Sequence, residues 1–237
     1  MPRPWALIEQ VNTPEGSLEL RRRGDRDFMI TIAGRVLMSS NIHGSEVAVA
    51  ELGCEKVRDR RAPRVLIGGL GLGFTLRAAL DSLPKDAHVT VAELNPAVVR
   101  WCKGPAATIT NAAVDDPRVQ VFEGDVTHEI RRVSAQKDAP RWDAIILDLY
   151  VGPGDSAHGN TDPLYGRAIL ERTHKALSDG GVYAVWGEDP DPAFERRMQR
   201  AGFETQLVRT KGNGPRHAVY VATKRGVTRV KPTRTRA

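Results

Sequence analysis

Two cysteines among 237 residues, Cys54 and Cys102, are too few for a disulfide framework. Neither belongs to a Cys-x-x-Cys or has a nearby His pair, so the sequence predicts no metal site. Both fall in predicted helices on apolar faces and read as buried packing thiols. No apolar stretch approaches the roughly 20 residues that cross a bilayer. The start, Met1-Pro2-Arg3-Pro4-Trp5, lacks the apolar run and small-residue cleavage site of a signal peptide, so the expected location is the cytoplasm. Internal repeats are absent. Acids are missing from 224–237, a stretch holding six basic residues. Without those six, the 35 basic residues fall to 29, equal to the 29 acidic ones, so the body is neutral despite a net charge of +6. A role in nucleic-acid binding is therefore expected only of this tail, which reads as a solvated end. A hydrophobic content of 41% is enough for a sizeable core.

What is present divides into three expected units. Over residues 1–44, Leu18–Arg21 and Phe28–Ile32 alternate apolar and polar residues around Arg22-Arg23-Gly24-Asp25, and Ala33-Gly34-Arg35 turns into Val36-Leu37-Met38. Alternation with Gly and Asp punctuation predicts a small antiparallel β appendage. Residues 45–223 open with a predicted helix from Ser45 to about Arg58. The tail, 224–237, completes the chain.

From Arg64 onward, short apolar runs alternate with helical stretches. Strands are expected at Val65–Gly68, His88–Ala92, Val119–Phe122, Ala144–Leu147 and Gly181–Trp186. Helices are expected between them, one from about Leu164 to Leu177 that stops at Asp179-Gly180-Gly181. Such alternation implies a parallel sheet covered on both faces. Phe203–Val208 and His217–Ala222 are joined by a polar turn with no room for a crossover helix, which makes them an antiparallel pair. The expected fold is α/β and class I methyltransferase-like (Rossmann-like). It has a mostly parallel seven-stranded sheet, a C-terminal antiparallel hairpin and a small N-terminal β appendage.

The first of these strands runs into Gly68-Gly69-Leu70-Gly71-Leu72-Gly73 and then a helix, whose free N-terminal amides face a ligand that glycine lets approach. Glu93 ends the second strand, where an acid accepts ribose hydroxyls. Glu123-Gly124-Asp125 ends the third and presents a carboxylate to an adenine amino group, and Asp148 ends the fourth. Convergence at one sheet edge marks a nucleoside site. The candidate donor-binding set is Gly68, Gly69, Leu70, Gly71, Gly73, Glu93, Leu94, Asp125, Val126 and Asp148. A dinucleotide fingerprint would need a third glycine at Phe74, and an ATP loop would need Gly-Lys-Ser/Thr; neither is present.

These motifs, with Asp116-Pro117-Arg118-Val119, Trp142–Asp148 and Pro163-Leu164-Tyr165, resemble the spermidine synthase (polyamine aminopropyltransferase) family over most of the chain, β appendage included. The resemblance implies Glu93 for ribose, Asp125 for adenine, Asp148 at the reacting centre, and a homodimer. Two departures stand out. The family's Gly-Gly-Gly-Asp-Gly-Gly loop has an acid where this chain has Gly71, and its second aspartate after strand four is replaced by Val151. Desolvating several ammonium groups without facing carboxylates is costly. The sequence therefore favours methyl transfer from intact S-adenosylmethionine to a small-molecule or peptide acceptor. Aminopropyl transfer from decarboxylated S-adenosylmethionine is the alternative, with Asp155, Asp162, Glu188 or Asp189 replacing the missing acids. A non-catalytic nucleoside-binding module is the third reading.

Asp148 and Tyr150 are the candidate catalytic residues, the former orienting or deprotonating the acceptor. His43, Glu46, Tyr165 and Trp186 are the candidate acceptor-binding residues. Their structural alternatives are a helix cap for His43, dipole complementarity for Glu46, and core packing for the two aromatics. The loop from Asp148 to Tyr165 is long enough for a lid and carries His158 as a further candidate base.

Overall fold

The computed structural model describes residues 3–155, 159–210 and 216–226. Strands β1 (Ala6–Thr13), β2 (Gly16–Arg23), β3 (Asp27–Ile32) and β4 (Arg35–Ser39) form an antiparallel sheet in that order. Strand β1 is absent from the sequence-based expectation. Its run Ala-Leu-Ile-Glu-Gln-Val-Asn-Thr does not alternate cleanly, and as an edge strand it buries little, with Leu7 and Ile8 exposed.

Helix α1 (Gly44–Cys54) leads to β5 (Arg64–Gly68), α2 (Phe74–Ser82), β6 (His88–Glu93), α3 (Pro96–Lys103), β7 (Val119–Glu123), α4 (Val126–Ala135) and β8 (Trp142–Leu147). The chain continues through α5 (Arg167–Ala176), β9 (Leu177–Gly187), α6 (Pro192–Arg200), β10 (Phe203–Arg209) and β11 (Ala218–Lys224). The second sheet has the order β10-β11-β9-β8-β5-β6-β7. Only β11 runs against its neighbours, pairing antiparallel with both β9 and β10. This is the expected α/β architecture, hairpin included.

Side-chain alternation puts half of each central strand on either face. Val65, Ile67, Ala144, Ile146 and Ala184 meet α1, α2 and α3. Leu66, Ile145, Leu147, Tyr183 and Val185 meet α4, α5 and α6. Both faces are buried, which explains the continuous apolar runs. Among the described residues no helix is long and apolar enough to cross a membrane.

The stop expected at Asp179-Gly180-Gly181 lies inside β9 instead. Helix α5 ends at Ala176, and the register against β8 slips after Trp142↔Leu177, resuming at Ala144↔Val182. Gly180 takes φ +68°, and Arg60 donates to the carbonyl oxygens of Asp179 (3.2 Å) and Gly180 (2.9 Å), which holds this bulge. The glycines therefore serve a strand bulge, a backbone need that resembles a helix stop in sequence.

Chain order moves outward from β5 to β6 and β7, then returns to place β8 on the other side of β5. Ligands of such sheets bind where the order reverses, at the carboxyl ends of the strands. Here that point lies between Gly68 and Leu147.

Candidate active site

The glycine run spans this switch point. Gly69 takes φ +91°, its amide donates to the Ala92 carbonyl (2.9 Å), and a Cβ there would run into the Asp148 carbonyl oxygen. Only glycine lets the loop pass so close to the end of β8. Gly68 lies over Val126, whose side chain is 5% exposed and so forms floor beneath the loop. Gly73, at φ +87°, precedes the first turn of α2.

Glu93 closes the loop from the next strand. One carboxylate oxygen accepts from the Leu70 amide (2.9 Å) and the other from the Asn95 amide (2.8 Å). Burial pushes its carboxyl upward, opposed by surrounding amides of which Asn95 is the strongest. The amides of Leu70, Gly71, Leu94 and Asn95 thus surround the carboxylate. The adjacent Leu94 is 72% exposed, an apolar surface on the rim. Asp125 caps α4 by accepting from the Thr127 amide at 2.8 Å with one oxygen.

Asp148 follows β8, and its amide donates to the Gly68 carbonyl (2.9 Å). Its carboxylate accepts from the Thr75 hydroxyl at the start of α2. Burial first, and the charge of Glu46 second, push its carboxyl up to about 7, against the Thr75 bond that lowers it. Glu46 enters from the first turn of α1, where the Ser45 hydroxyl donates to its carboxylate (2.6 Å). The fold thus brings two carboxylates from residues 46 and 148 to one place.

His43 precedes the same helix. Its ring stacks on Phe74 at 3.9 Å and 12°, and its Nδ1 lies 2.8 Å from the Ser40 carbonyl. A carbonyl only accepts, so Nδ1 is the donor in this contact.

The other candidates lie differently. Tyr150 is 44% exposed and its hydroxyl donates to Glu15, in the β1–β2 turn. Burial and the Glu15 carboxylate push that phenol up to about 12, which makes it a poor base at neutral pH. Tyr165 is buried, its hydroxyl donating to the Val151 carbonyl (2.7 Å), so its place is beneath the loop after β8. Trp186 is half-buried beside His217, ring centroids 5.1 Å apart. The Asp162 carboxylate accepts from the amides of Leu164 and Tyr165, both at 2.7 Å, while Asp189 is an exposed partner of Arg209. His158 lies outside the described residues.

Sequence reasoning passed over Met38, Thr75 and His217. Thr75 is the second residue of the helix after the glycine run, a position from which a hydroxyl can reach the loop. Met38 approaches from β4, where its sulfur lies 2.9 Å from the Leu72 amide nitrogen. His217 lies just before β11, with Nδ1 buried and without a hydrogen-bond partner among the described residues. Nothing in the sequence ties Met38 to residue 72 or His217 to Trp186. Among the described residues no group of three or more His, Cys, Asp or Glu is placed to hold a metal ion.

Residues 49–222 match the spermine/spermidine synthase domain. The polyamine aminopropyltransferase of Clostridium tetani is 30% identical over 127 residues, covering 54% of this chain and 41% of the relative. That of Pseudomonas syringae pv. tomato is 29% identical over 153 residues, covering 64% and 47%. Each match thus spans less than half of the relative's length. A crystal structure of spermidine synthase from Thermotoga maritima superposes with a TM-score of 0.70 at 19% identity, covering 92% of this chain and 72% of that one. Another, of spermidine synthase with the transition-state analogue AdoDATO, gives 0.68 at 18%, with the same coverage.

These matches overturn the sequence-based preference for methyl transfer from intact S-adenosylmethionine. That preference counted acids along the chain and found two of the family's replaced, by Gly71 and Val151. The count did not weigh Glu46, named separately as an acceptor-binding candidate, which the fold delivers to Asp148 from a helix about a hundred residues earlier. The chain belongs to the spermine/spermidine synthase domain family.

Proposed function

We propose that this protein is an aminopropyltransferase that uses decarboxylated S-adenosylmethionine as donor and an amine as acceptor. The observation that carries the reading is the meeting of Asp148, Thr75 and Glu46 at the mouth of the glycine loop. Two adjacent carboxylates suit an ammonium group, because each desolvated cation then faces an opposite charge. Family membership and the aminopropyltransferase relatives support the same chemistry.

The donor's nucleoside lies with its ribose hydroxyls on Glu93, its adenine amino group on Asp125, and its rim against Leu94. The sulfonium is activated by its own charge, so the protein's task is alignment and proton removal. An acceptor nitrogen, once neutral, attacks the aminopropyl carbon bonded to sulfur. The carbon–sulfur bond breaks, its electron pair returns to sulfur, and 5′-methylthioadenosine leaves as a neutral thioether. Asp148 takes the acceptor's proton: a carboxyl near pH 7 is matched to this work, and Glu46 stabilises the protonated product by charge. His43 borders the acceptor. A homodimer and the division at residues 44/45 and 223/224 are part of the same proposal.

The test is release of 5′-methylthioadenosine, followed by chromatography, from decarboxylated S-adenosylmethionine and a series of diamines and monoamines. Release that requires both donor and amine is expected. Binding of the donor without release for any amine would refute the reading. Asp148→Asn should lower kcat by about a hundredfold, the usual worth of a positioned base.

A further inference from the structure

Two peptide units of the glycine run, 69–70 and 71–72, are held by three different elements. The Leu70 amide donates to Glu93 at the end of β6, 2.9 Å away. The Gly71 carbonyl accepts from the Cys102 thiol of α3, at 3.2 Å. The Leu72 amide is met by the sulfur of Met38 on β4, at 2.9 Å. Two of these holds lie within the nucleotide-binding sheet and its helices; the third comes from the other sheet, 34 residues earlier.

Met38 also bears on the missing acid of the loop. Gly71 has φ +52°, and a Cβ built there would run into the Met38 sulfur. The thioether therefore occupies the room that a side chain at position 71 would need. Cys102, by contrast, sits behind the loop with its thiol pushed up to about 12 by burial, so it stays protonated and donates.

We infer that Met38 is a positioning residue for the donor, forming with Gly71 a coupled pair that replaces the loop acid of the family pattern. The thioether orients the Leu72 amide, keeps the loop open to the nucleoside, and must be displaced by any side chain at position 71. The first sheet is thereby part of the donor site. This rests on the reading of the loop as the donor's, and the experiment separates the two.

Met38→Leu keeps the volume and loses the acceptor, whereas Met38→Gln restores an acceptor of similar reach. Met38→Leu should raise the donor KM and the Kd for 5′-methylthioadenosine about tenfold, the worth of roughly one hydrogen bond, with kcat unchanged. Met38→Gln should return both to within about twofold of the native protein, a rescue that a purely structural role would not give. Gly71→Asp should abolish binding of 5′-methylthioadenosine, and Met38→Ala/Gly71→Asp should recover it to about the level of Met38→Leu. Unchanged KM and Kd in Met38→Leu, or a Gly71→Asp variant that binds normally with Met38 in place, would overturn the inference.

Amide hydrogen exchange supplies a readout that needs no donor. Met38→Leu should speed exchange at residues 70–72 while the centre of the sheet stays protected; uniform exchange in both proteins would overturn the bracing role. If the native protein shows that bracing yet binds no 5′-methylthioadenosine, the proposed function fails and the loop contact stands.

Discussion

Asp148 makes a prediction about stability that is independent of any assay of turnover. Its carboxyl ordinarily titrates at 3.8 and is pushed up to about 7 in the folded chain. A raised acid binds more protons folded than unfolded between those two values, so stability is fully present below the lower one and is lost as pH rises through the upper one. At about 1.4 kcal/mol per pH unit, the interval corresponds to at most ~4 kcal/mol, and solvent reaching this half-buried side chain trims it to about 2–3 kcal/mol. Asp148→Asn cannot lose that proton and still accepts from Thr75. It should therefore match the native protein near pH 4 and exceed its stability by about 2–3 kcal/mol at pH 8. Urea unfolding of both proteins across pH 4–8 measures the difference directly, since titrating groups not coupled to Asp148 cancel between them. Parallel profiles would refute both the desolvation of Asp148 and its pairing with Glu46. A saturating amine should narrow the gap at pH 8 by stabilising only the native carboxylate pair.

Other expectations follow from the same geometry. Gly69→Ala should cost about 2–4 kcal/mol in urea unfolding, because it combines a positive φ with a collision against the Asp148 carbonyl. Glu93→Gln should weaken 5′-methylthioadenosine binding about tenfold by calorimetry while leaving kcat at saturation nearly intact. Asp116 is held at about 2, chiefly by its hydrogen bond with Arg118. Its contribution is present above the ordinary 3.8 and lost as pH falls through 2, so Asp116→Ala should cost about 1–2 kcal/mol at pH 7 and nearly nothing at pH 2. Tyr150→Phe should leave the pH profile of kcat unchanged between pH 6 and 9, because a phenol near 12 does not titrate there.

Much of the fold was legible because it rests on local pattern. Four apolar runs with glycine or acid at their carboxyl ends implied a parallel sheet and placed Gly69, Glu93, Asp125 and Asp148 along one edge. What local pattern misled on was backbone conformation: Asp179-Gly180-Gly181 reads as a helix stop and is a strand bulge, since positive φ serves both. Strand β1 escaped notice because an edge strand needs no apolar alternation to hold its register.

The chemistry divides along the same line. The sequence by itself placed the residues of the proposed nucleoside end, because each follows a strand and its position comes with the strand. At the proposed reacting end the sequence named Asp148 and Glu46 singly, and only the tertiary structure brought them together. Glu46 on α1, Thr75 on α2 and Asp148 after β8 are neighbours through the packing of two helices on one sheet, and Met38 reaches the glycine loop from a different sheet. Side chains so far apart in the chain carry no spacing signature, and a count of acids along the loop after β8 could not register the one that arrives from elsewhere.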